Sequence, residues 1–351
     1  MTQGNGPRLV CIGASAGGVE ALSMVVASLP VDLPAALLVV MHVSAEGSAL
    51  PVILERHGDL PARHARDGDA IEPGRIYVAP PDRYFTVTDG RARVTAGPTE
   101  HGWRPAIDPL FRTAAHSHGT DVIGVVLSGA LTDGTWGLAE IKRHGGVAVV
   151  VDPDDVLHGA MPRSAIQNVA VDHVVPLSEV GPTIVQLVKE MGESRPATAG
   201  AVAVNQESPA NPGPGTEGQG PSGFTCPECG GTLFEYRNGA MSRYRCRVGH
   251  AYTPESLSVA QSRSVENAVW AAIRALEERA VMLEELASRM QHRGTGGRAP
   301  GRLRDEATDL TNRAALIRNV LLEPPIPGPD VGPVAVDTPG HTGEREPRSE
   351  P

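Results

Sequence analysis

The stretch Val10-Cys11-Ile12-Gly13-Ala14-Ser15-Ala16-Gly17-Gly18 carries the pattern that decides the fold. A short apolar run ends in Gly-x-Ser-x-Gly, and apolar residues at helical spacing follow directly. This order predicts a strand, a sharp turn and a helix, with the Ser15 hydroxyl projecting above the sheet edge. A serine at a helix N-terminus is suited to act as a nucleophile, because free N–H groups there stabilise developing negative charge.

Two other interpretations of this stretch compete with a nucleophile. A dinucleotide-binding loop needs glycine where Ser15 stands and an acidic residue near the end of the second strand. The second predicted strand, Ala36–Met41, ends instead in His42, which suits proton transfer better than contact with a ribose hydroxyl. In the other interpretation, Ser15 does no more than cap the following helix.

Composition and charge narrow the class of protein. The 351 residues carry a net charge of −10 without a cluster of Lys or Arg, which argues against nucleic acid as a partner. We find no signal peptide at the N-terminus and no apolar run of the ~18 residues that a membrane span needs. The sequence therefore predicts a cytoplasmic protein.

Alternating strand and helix patterns predict an α/β fold, a doubly wound and mainly parallel sheet with a small β-hairpin insertion. The predicted strands are Leu9–Ile12, Ala36–Met41, Ile76–Ala79, Val122–Leu127, Val147–Val151 and His173–Val175, and the hairpin pairs Tyr84–Thr88 with Arg91–Thr95 around Asp89-Gly90. The predicted helices are Gly18–Leu29, Pro105–His118, Gly134–His144 and Ser178–Met191.

Changes in composition predict five segments. They are an α/β domain over 8–191, a flexible linker over 192–222, a small metal-binding module over 223–253, a helical or coiled-coil segment over 254–322, and a disordered tail over 323–351. The helical segment is expected to form an antiparallel hairpin or a dimerising coiled coil.

Three polar residues follow predicted parallel strands, and the carboxyl ends of such strands share one edge of a sheet. Ser15 follows the first strand, His42 the second, and Asp133 comes shortly after Val122–Leu127. A weak nucleophile, a base with a pKa near neutrality and a carboxylate that fixes its tautomer are what acyl transfer requires. Taken singly, His42 could be an ordinary strand-end residue and Asp133 a helix cap.

Cys226-Pro-Glu-Cys229 is followed, after sixteen intervening residues, by Cys246-Arg-Val-Gly-His250, which is the spacing of a tetrahedral zinc site. We expect a closed, structural Cys3His site that supplies much of the folding free energy of its small module. Reduced surface thiols are the simpler alternative, and a redox Cys-x-x-Cys would need a βαβ context. Cys11 is expected to be a small core residue.

The sequence resembles the CheB-type protein-glutamate methylesterases of bacterial chemotaxis over about residues 8–190. The resemblance rests on seven matching stretches: Gly13–Gly18, Met41-His42, Tyr77-Val78-Ala79-Pro80-Pro81-Asp82, Arg104-Pro105-Ala106-Ile107-Asp108-Pro109-Leu110-Phe111, Leu127-Ser128-Gly129-Ala130-Leu131-Thr132-Asp133-Gly134, Asp152-Pro153 and Met161-Pro162. By position, the catalytic serine, histidine and aspartate of that family fall on Ser15, His42 and Asp133.

The resemblance implies hydrolysis of γ-glutamyl methyl esters on a receptor protein, without a catalytic cofactor. It also implies that some members deamidate receptor glutamine at the same site. The oxyanion is expected to bind the backbone N–H of Ala16 and one from the loop 129–131, for which we choose Ala130. Many relatives carry methionine where Ala130 stands, a change that alters packing but keeps the backbone donor.

Members of this family usually carry an N-terminal receiver domain, whereas the first strand here starts at Leu9. We therefore expect activity that is constitutive or controlled by another chain, such as a separate response regulator, with a methyltransferase as a further partner. A non-catalytic signalling scaffold, whose zinc module and helices bind partners, is the alternative. A small-molecule α/β hydrolase is disfavoured because its acidic residue precedes its histidine in the chain.

Overall fold

The computed structural model describes residues 7–43, 47–193, 217–238, 241–292 and 298–322. They belong to two compact units, Met1–Ser264 and Val265–Pro351. The predicted disordered tail and most of the predicted linker, residues 194–216, lie outside the described residues, as does the glycine-rich stretch 293–297.

A seven-stranded parallel sheet forms the centre of the first unit. Its strands are β1 (Arg8–Ala14), β2 (Ala35–Met41), β3 (Ala62–His64), β4 (Ile76–Val78), β7 (Val122–Val126), β8 (Val147–Val151) and β9 (His173–Val175). They lie in the order β3-β4-β2-β1-β7-β8-β9. Continuous apolar runs such as that of β2 are buried along their full length, as expected where helices cover both faces. The doubly wound α/β fold predicted from the sequence is confirmed.

Six helices cover the two faces of the sheet. They are α1 (Gly18–Ala27), α2 (Leu50–His57), α3 (Ile107–His118), α4 (Thr135–Arg143), α5 (Ala160–Asn168) and α6 (Leu177–Glu193). The side chains of β1 alternate between the two cores, because successive residues of a strand point to opposite faces. Val10 and Ile12 pack with α1, α2 and α6, whereas Leu9 and Cys11 pack with α3, α4 and α5.

The predicted hairpin is present with the predicted bounds, as β5 (Tyr84–Thr88) and β6 (Arg91–Thr95). Among the α-helices and strands of the α/β domain, three were missed: β3, α2 and α5. Strand β3 has only three residues, and α2 and α5 each carry a proline in their first turns and few buried side chains. Such short segments show too few apolar residues for a periodic pattern.

A four-stranded antiparallel sheet holds the cysteine-rich segment, also within the first unit. It consists of β10 (Glu217–Thr225), β11 (Thr232–Asn238), β12 (Met241–Cys246) and β13 (Ala251–Tyr252). Strand β10 begins inside the stretch predicted as linker, and α6 extends to Glu193 at its other end. Composition failed to reveal β10 because the strand contains three glycines and a proline.

Two long helices, α7 (Pro254–His292) and α8 (Ala299–Leu322), follow the small sheet. Within the second unit they pack against each other antiparallel, around a narrow core of Ala280, Ala307 and Leu310. An ion pair of 2.8 Å joins Arg279 to Glu306 at this contact. None of the helices in the described part of the chain is long and apolar enough to cross a membrane.

Candidate functional site

The candidate site lies where the order of the sheet reverses, at the carboxyl ends of β1, β2 and β7. Chain connections leave β1 toward β2 on one side and return to β7 on the other, and such a switch point leaves a crevice for a ligand. Ala14 pairs with Met41 at the ends of β1 and β2, so Ser15 and His42 leave the sheet side by side. The Ser15 N–H donates to the carbonyl of Ser128, and this hydrogen bond joins the turn after β1 to the loop after β7.

The turn at Ser15 is tight and closely packed. Gly17 has a φ of 71°, a left-handed conformation that glycine adopts without steric cost, and it immediately precedes α1. A Cβ at Gly129 would lie 2.1 Å from Met161 Sδ and 3.0 Å from Ser15 Cβ. Glycine is therefore required at position 129 for the loop after β7 to approach Ser15.

The structure brings Ser15, His42 and Asp133 together, as the sequence predicted. His42 Nδ1 lies 3.0 Å from Ser15 Oγ, and His42 Nε2 lies 2.7 Å from Asp133 Oδ2. Only 2% of each of the His42 and Asp133 side chains is exposed. With Nε2–H donated to the carboxylate, Nδ1 carries the lone pair that faces the serine hydroxyl. This is the geometry of a nucleophile, a general base and an orienting carboxylate.

The carboxylate of Asp133 is fixed by the start of α3. Its Oδ2 accepts the N–H of Ile107 at 2.8 Å, and its Oδ1 accepts the N–H groups of Asp108 and Gly134 at 3.1 and 2.9 Å. Burial alone would raise the pKa of Asp133, but the hydrogen bond from His42 and the nearby His101 outweigh it. The pKa of Asp133 therefore lies well below its ordinary value, which keeps the group ionised beside His42.

Backbone donors are available for an oxyanion beside Ser15. Within the described residues, the N–H groups of Ala16 and Ala130 donate to no other group, whereas Gly129 N–H donates to the His158 carbonyl at 2.7 Å. Ala130 is exposed and Ala16 is half-buried, so both can be reached from solvent. The geometry is consistent with the two donors chosen from the sequence.

Two residues of this site were missed in the sequence. The Trp103 ring stacks on the His42 ring at a centroid distance of 4.6 Å and an interplanar angle of 8°. His101 Nε2 lies 3.0 Å from Asp108 Oδ2 and 3.8 Å from Asp133 Oδ1. The stretch Arg104–Phe111 carried the family resemblance, and it could have directed attention to the residues just before it.

The four predicted metal ligands meet at the turn between β10 and β11 and the end of β12. Sγ of Cys246 lies 3.5 Å from His250 Nδ1 and 3.6 Å from Cys229 Sγ, and all four ligand atoms lie within 4.8 Å of one another. Cys226 Sγ lies 3.6 Å from the same nitrogen. A zinc ion with bonds of about 2.3 Å to sulfur and 2.0 Å to nitrogen separates its ligands by about 3.5–3.8 Å. The group therefore fits zinc, whereas Cys11 is buried in the core between the parallel sheet and helices α3, α4 and α5.

Comparison with known proteins gives one consistent result. A family model described as CheB methylesterase matches residues 10–184. Protein-glutamate methylesterase/protein-glutamine glutaminase 3 of Anaeromyxobacter dehalogenans is 45% identical over 163 residues, which are 45% of this chain and 47% of that protein. A relative in Leptospira interrogans, whose name gives the same two activities, is 35% identical over 188 residues, 53% of this chain and 97% of its own length.

A solved structure agrees with these sequence relatives. The crystal structure of the Thermotoga maritima CheB methylesterase catalytic domain matches with a TM-score of 0.50 and 29% identity, over 52% of this chain and 98% of that domain. The chain spans about half the length of the first curated relatives that it matches.

Proposed function

The chain belongs to the CheB methylesterase family, and we propose that it is a serine hydrolase that removes methyl esters from glutamate side chains of chemoreceptor-like signalling proteins. The observation that carries the proposal is the continuous contact from Ser15 Oγ through His42 to Asp133, with distances of 3.0 and 2.7 Å. This contact chain also favours catalysis over a scaffold that only binds partners.

Each group in the site has a defined task in this mechanism. Ser15 Oγ attacks the ester carbonyl while His42 Nδ1 takes the hydroxyl proton, and the developing imidazolium is stabilised by Asp133. His42 then returns the proton to the departing methoxide, so methanol leaves and a glutamyl ester of Ser15 remains. Water, deprotonated by His42, attacks this acyl-enzyme, and glutamate is released with the free Ser15 hydroxyl.

The N–H groups of Ala16 and Ala130 are the proposed donors to the tetrahedral oxyanion. Two observations support them: neither N–H donates a hydrogen bond within the described residues, and Ala16 follows Ser15 while Ala130 follows Gly129, which packs against Ser15. An alanine at position 130 leaves more open space at the site than a longer side chain would, while the backbone donor is unchanged.

Glutamine deamidation is proposed as a second reaction of the same site, because the names of the relatives give both activities. Attack by Ser15 on a glutamine side chain expels ammonia instead of methanol and yields the same glutamyl acyl-enzyme. The two reactions differ only in the leaving group that His42 protonates.

Methanol release from methylated receptor cytoplasmic fragments tests the proposed esterase. We expect release by the native chain and a loss of about 10⁴-fold or more in Ser15→Ala, because the nucleophile is removed while the fold is retained. Equal release by the native chain and Ser15→Ala would contradict the proposal. Ammonia release from receptor fragments that carry glutamine at the modified positions measures the second reaction in the same samples.

We also propose that the Cys3His group holds a structural Zn²⁺. Two features besides the ligand distances support it. Gly230 has a φ of 70° and its N–H donates to the Cys226 carbonyl at 2.9 Å, which closes the tight turn between the first two ligands. His250 Nε2 lies 3.3 Å from Glu228 Oε2, and a carboxylate behind the ring is the usual partner of a metal-bound histidine.

Metal analysis of the purified chain tests the zinc proposal. We expect one zinc ion per chain in the native protein and a metal affinity at least about 10-fold lower in Cys229→Ser, because a thiolate ligand is lost. Cys11→Ser is the control, since Cys11 lies in the core between the parallel sheet and helices α3, α4 and α5 and its substitution should leave zinc content unchanged. Native protein that remains zinc-free after reconstitution would contradict the proposal.

We propose that the protein acts in the cytoplasm. Free thiols at a zinc site favour reducing surroundings, which supports a cytoplasmic location.

A separate response regulator and a methyltransferase are proposed as partners of the esterase by analogy with its family. A dimer through α7 and α8 is supported by exposed apolar residues such as Val281, Leu316 and Val320, and light scattering of the native chain tests it.

A further inference from the structure

The loop Thr99–Arg104, which immediately precedes the start of α3, is bound on one side by the metal-binding module. His101 N–H donates to the Ala251 carbonyl at 2.7 Å, and Ala251 N–H donates to the Thr99 carbonyl at 3.3 Å. Glu100 and Trp103 exchange backbone hydrogen bonds of 3.1 and 2.9 Å. The loop is thus an extension of the small sheet, joined to it at β13.

Buried charges reinforce this junction. The Arg243 guanidinium of β12 donates to Glu100, and both side chains are at most 2% exposed. On the other side, Arg112 of α3 lies 3.5 Å from the same carboxylate. Burial opposes ionisation of Glu100, but the two guanidinium groups hold its pKa below the ordinary value. An ion pair buried this deeply fixes geometry, because separating its partners leaves an uncompensated charge in the interior.

The same loop contacts both His42 and Asp133 on its other side. Trp103 stacks on His42, and His101 lies between the carboxylates of Asp108 and Asp133. The start of α7, which directly follows the metal-binding module, closes this network, because Ser256 Oγ lies 3.2 Å from His101 Nδ1.

A second contact joins the module to the residue that precedes Asp133. Thr253 Oγ1 lies 2.8 Å from Thr132 Oγ1, and Thr132 immediately precedes Asp133. Thr253 and Ser256 form a capping pair at the start of α7, in which Thr253 N–H donates to Ser256 Oγ at 2.9 Å. The residues that begin α7 therefore contact two segments of the catalytic site.

The metal ligands are connected to the loop by one side chain. Glu228 lies behind His250 Nε2 at 3.3 Å, accepts the Tyr252 hydroxyl at 2.8 Å, and accepts the Thr99 hydroxyl. Glu228 lies between two of the ligands in sequence, so an ion bound by Cys226 and Cys229 fixes its backbone. A continuous series of contacts therefore runs from the metal ligands to the loop and from the loop to His42.

We propose that the metal-binding module is a positioning element of the esterase: zinc bound at the Cys3His group holds the loop Thr99–Arg104 in the conformation that places His42 and Asp133 for attack by Ser15. This inference rests on the proposed function. In this account Trp103, His101 and Ser256 are positioning residues, and zinc takes no part in the chemistry. Turnover by the chain then depends on a metal whose ligands all lie outside the α/β domain.

The expected effect is large because acyl transfer is sensitive to alignment. A misplacement of about 1 Å can reduce a rate about 10²-fold. A purely structural module would stabilise its own segment and leave the reactivity of Ser15 unchanged. The two accounts therefore differ in one measurable quantity, the reactivity of Ser15 in folded protein without the metal.

The first experiment measures labelling of Ser15 by a small fluorophosphonate in the full-length chain. The reduced protein is stripped with a chelator and then measured with and without added Zn²⁺, beside Cys229→Ser. We expect zinc to raise the labelling rate at least about 10-fold in the native chain and to have no such effect in Cys229→Ser. Equal rates with and without zinc, in protein with an unchanged circular dichroism spectrum, would overturn the inference.

The second experiment changes the contact without touching a metal ligand. Ser256→Ala removes the partner of His101 Nδ1, and Ser262→Ala, on the exposed face of α7, is its matched control. We expect the maximal labelling rate of Ser256→Ala to fall about 10-fold while its half-saturating fluorophosphonate concentration and its zinc content stay native. A native labelling rate in Ser256→Ala would overturn the inference even if zinc removal unfolds the chain.

The labelling measurement also separates this inference from the proposed function. If Ser15 of the zinc-loaded native chain fails to react at all, the proposed nucleophile is wrong and the inference falls with it. If Ser15 reacts equally in every form, the esterase proposal stands and the role of the metal-binding module is refuted. Zinc-dependent labelling supports both.

Discussion

At the scale of single residues, the position of Asp133 explains why an aspartate is needed there. Its two oxygens accept three backbone N–H groups and the His42 ring, so the site offers four donors and no acceptor to this side chain. An amide in the same place would direct its own N–H2 group at a donor. The arrangement therefore selects a carboxylate both for stability and for the tautomer of His42.

We predict that Asp133→Asn loses about 10⁴-fold in turnover and about 1–3 kcal/mol in the free energy of unfolding. The rate falls because His42 is no longer held with its lone pair toward Ser15. Methanol release and urea unfolding measure the two effects. Asp154→Asn is the control, since Asp154 is 84% exposed and should change stability by less than about 0.5 kcal/mol. Full activity in Asp133→Asn would contradict this role.

Trp103 contacts the face of the His42 ring, whereas Asp133 contacts its Nε2 edge. Its stacked indole fixes the plane of the His42 ring and interacts favourably with the imidazolium, an effect of about 0.5–2 kcal/mol. We predict that Trp103→Ala lowers kcat about 10-fold with little change in KM, and that Trp103→Phe restores part of the rate. Trp270→Ala, a substitution of a comparably exposed tryptophan on α7, should leave both constants unchanged.

At the scale of elements, the site depends on close packing between the turn after β1 and the loop after β7. Met161 N–H donates to the Gly129 carbonyl at 3.0 Å, and Gly129 N–H donates to the His158 carbonyl. These hydrogen bonds hold Gly129 against Ser15 and leave no space for a side chain. The Met161 side chain that a new methyl group would meet is fully buried, and Ser15 Cβ lies on the other side at 3.0 Å, so little space is available for relaxation.

We predict that Gly129→Ala is inactive and less stable by about 1–3 kcal/mol, because the new methyl group displaces Met161 and Ser15. Gly301→Ala, in α8, should have the opposite sign and stabilise its helix by about 0.5–1 kcal/mol, since nothing lies within 4 Å of its Cβ position. Thermal unfolding and fluorophosphonate labelling compare the two variants. Normal labelling of Ser15 in Gly129→Ala would show that the close approach is not required.

Sequence patterns predicted some elements of this fold closely and did not predict others. Strands such as β2 and β8 were predicted almost to the residue, because buried parallel strands are continuous apolar runs between polar turns. The order of the sheet places Ser15, His42 and Asp133 at one edge, which the sequence predicted from strand ends alone. The contacts of Trp103 and His101 could not be predicted, because they depend on a loop whose conformation is set by β12 and β13, more than 130 residues away.

At the scale of the whole molecule, buried charges link stability to pH. Asp133, Glu100 and Glu140 are all buried with lowered pKa values, the last because bonds from His116 and Arg143 outweigh the effect of its burial. The pKa of His101 is shifted in the opposite direction. Burial alone would lower it, but Asp108 and Asp133 raise it above its ordinary value. The folded chain therefore favours ionised carboxylates and a protonated His101.

We predict that the melting temperature of the chain falls by several degrees between pH 5 and pH 3. The unfolded carboxyls take up protons near a pH of about 4, whereas the folded ones resist protonation, so their contribution is complete above about pH 5 and is lost below it. His101 stabilises the fold below about pH 6.5, and its contribution is lost as the pH rises through its raised pKa. Melting curves from pH 3 to pH 9 measure the contributions of the carboxylates and of His101. A melting temperature that is constant below pH 5 would contradict the predicted contribution of the carboxylates.

The proposed mechanism requires a covalent glutamyl intermediate on Ser15, which acid quenching during turnover can trap. A peptide carrying a glutamate γ-methyl ester is mixed with the native chain, quenched within milliseconds, digested and analysed by mass spectrometry. We expect a glutamyl adduct on the peptide that contains Ser15, and none in Ser15→Ala. Continued hydrolysis by Ser15→Ala at the native rate would contradict it.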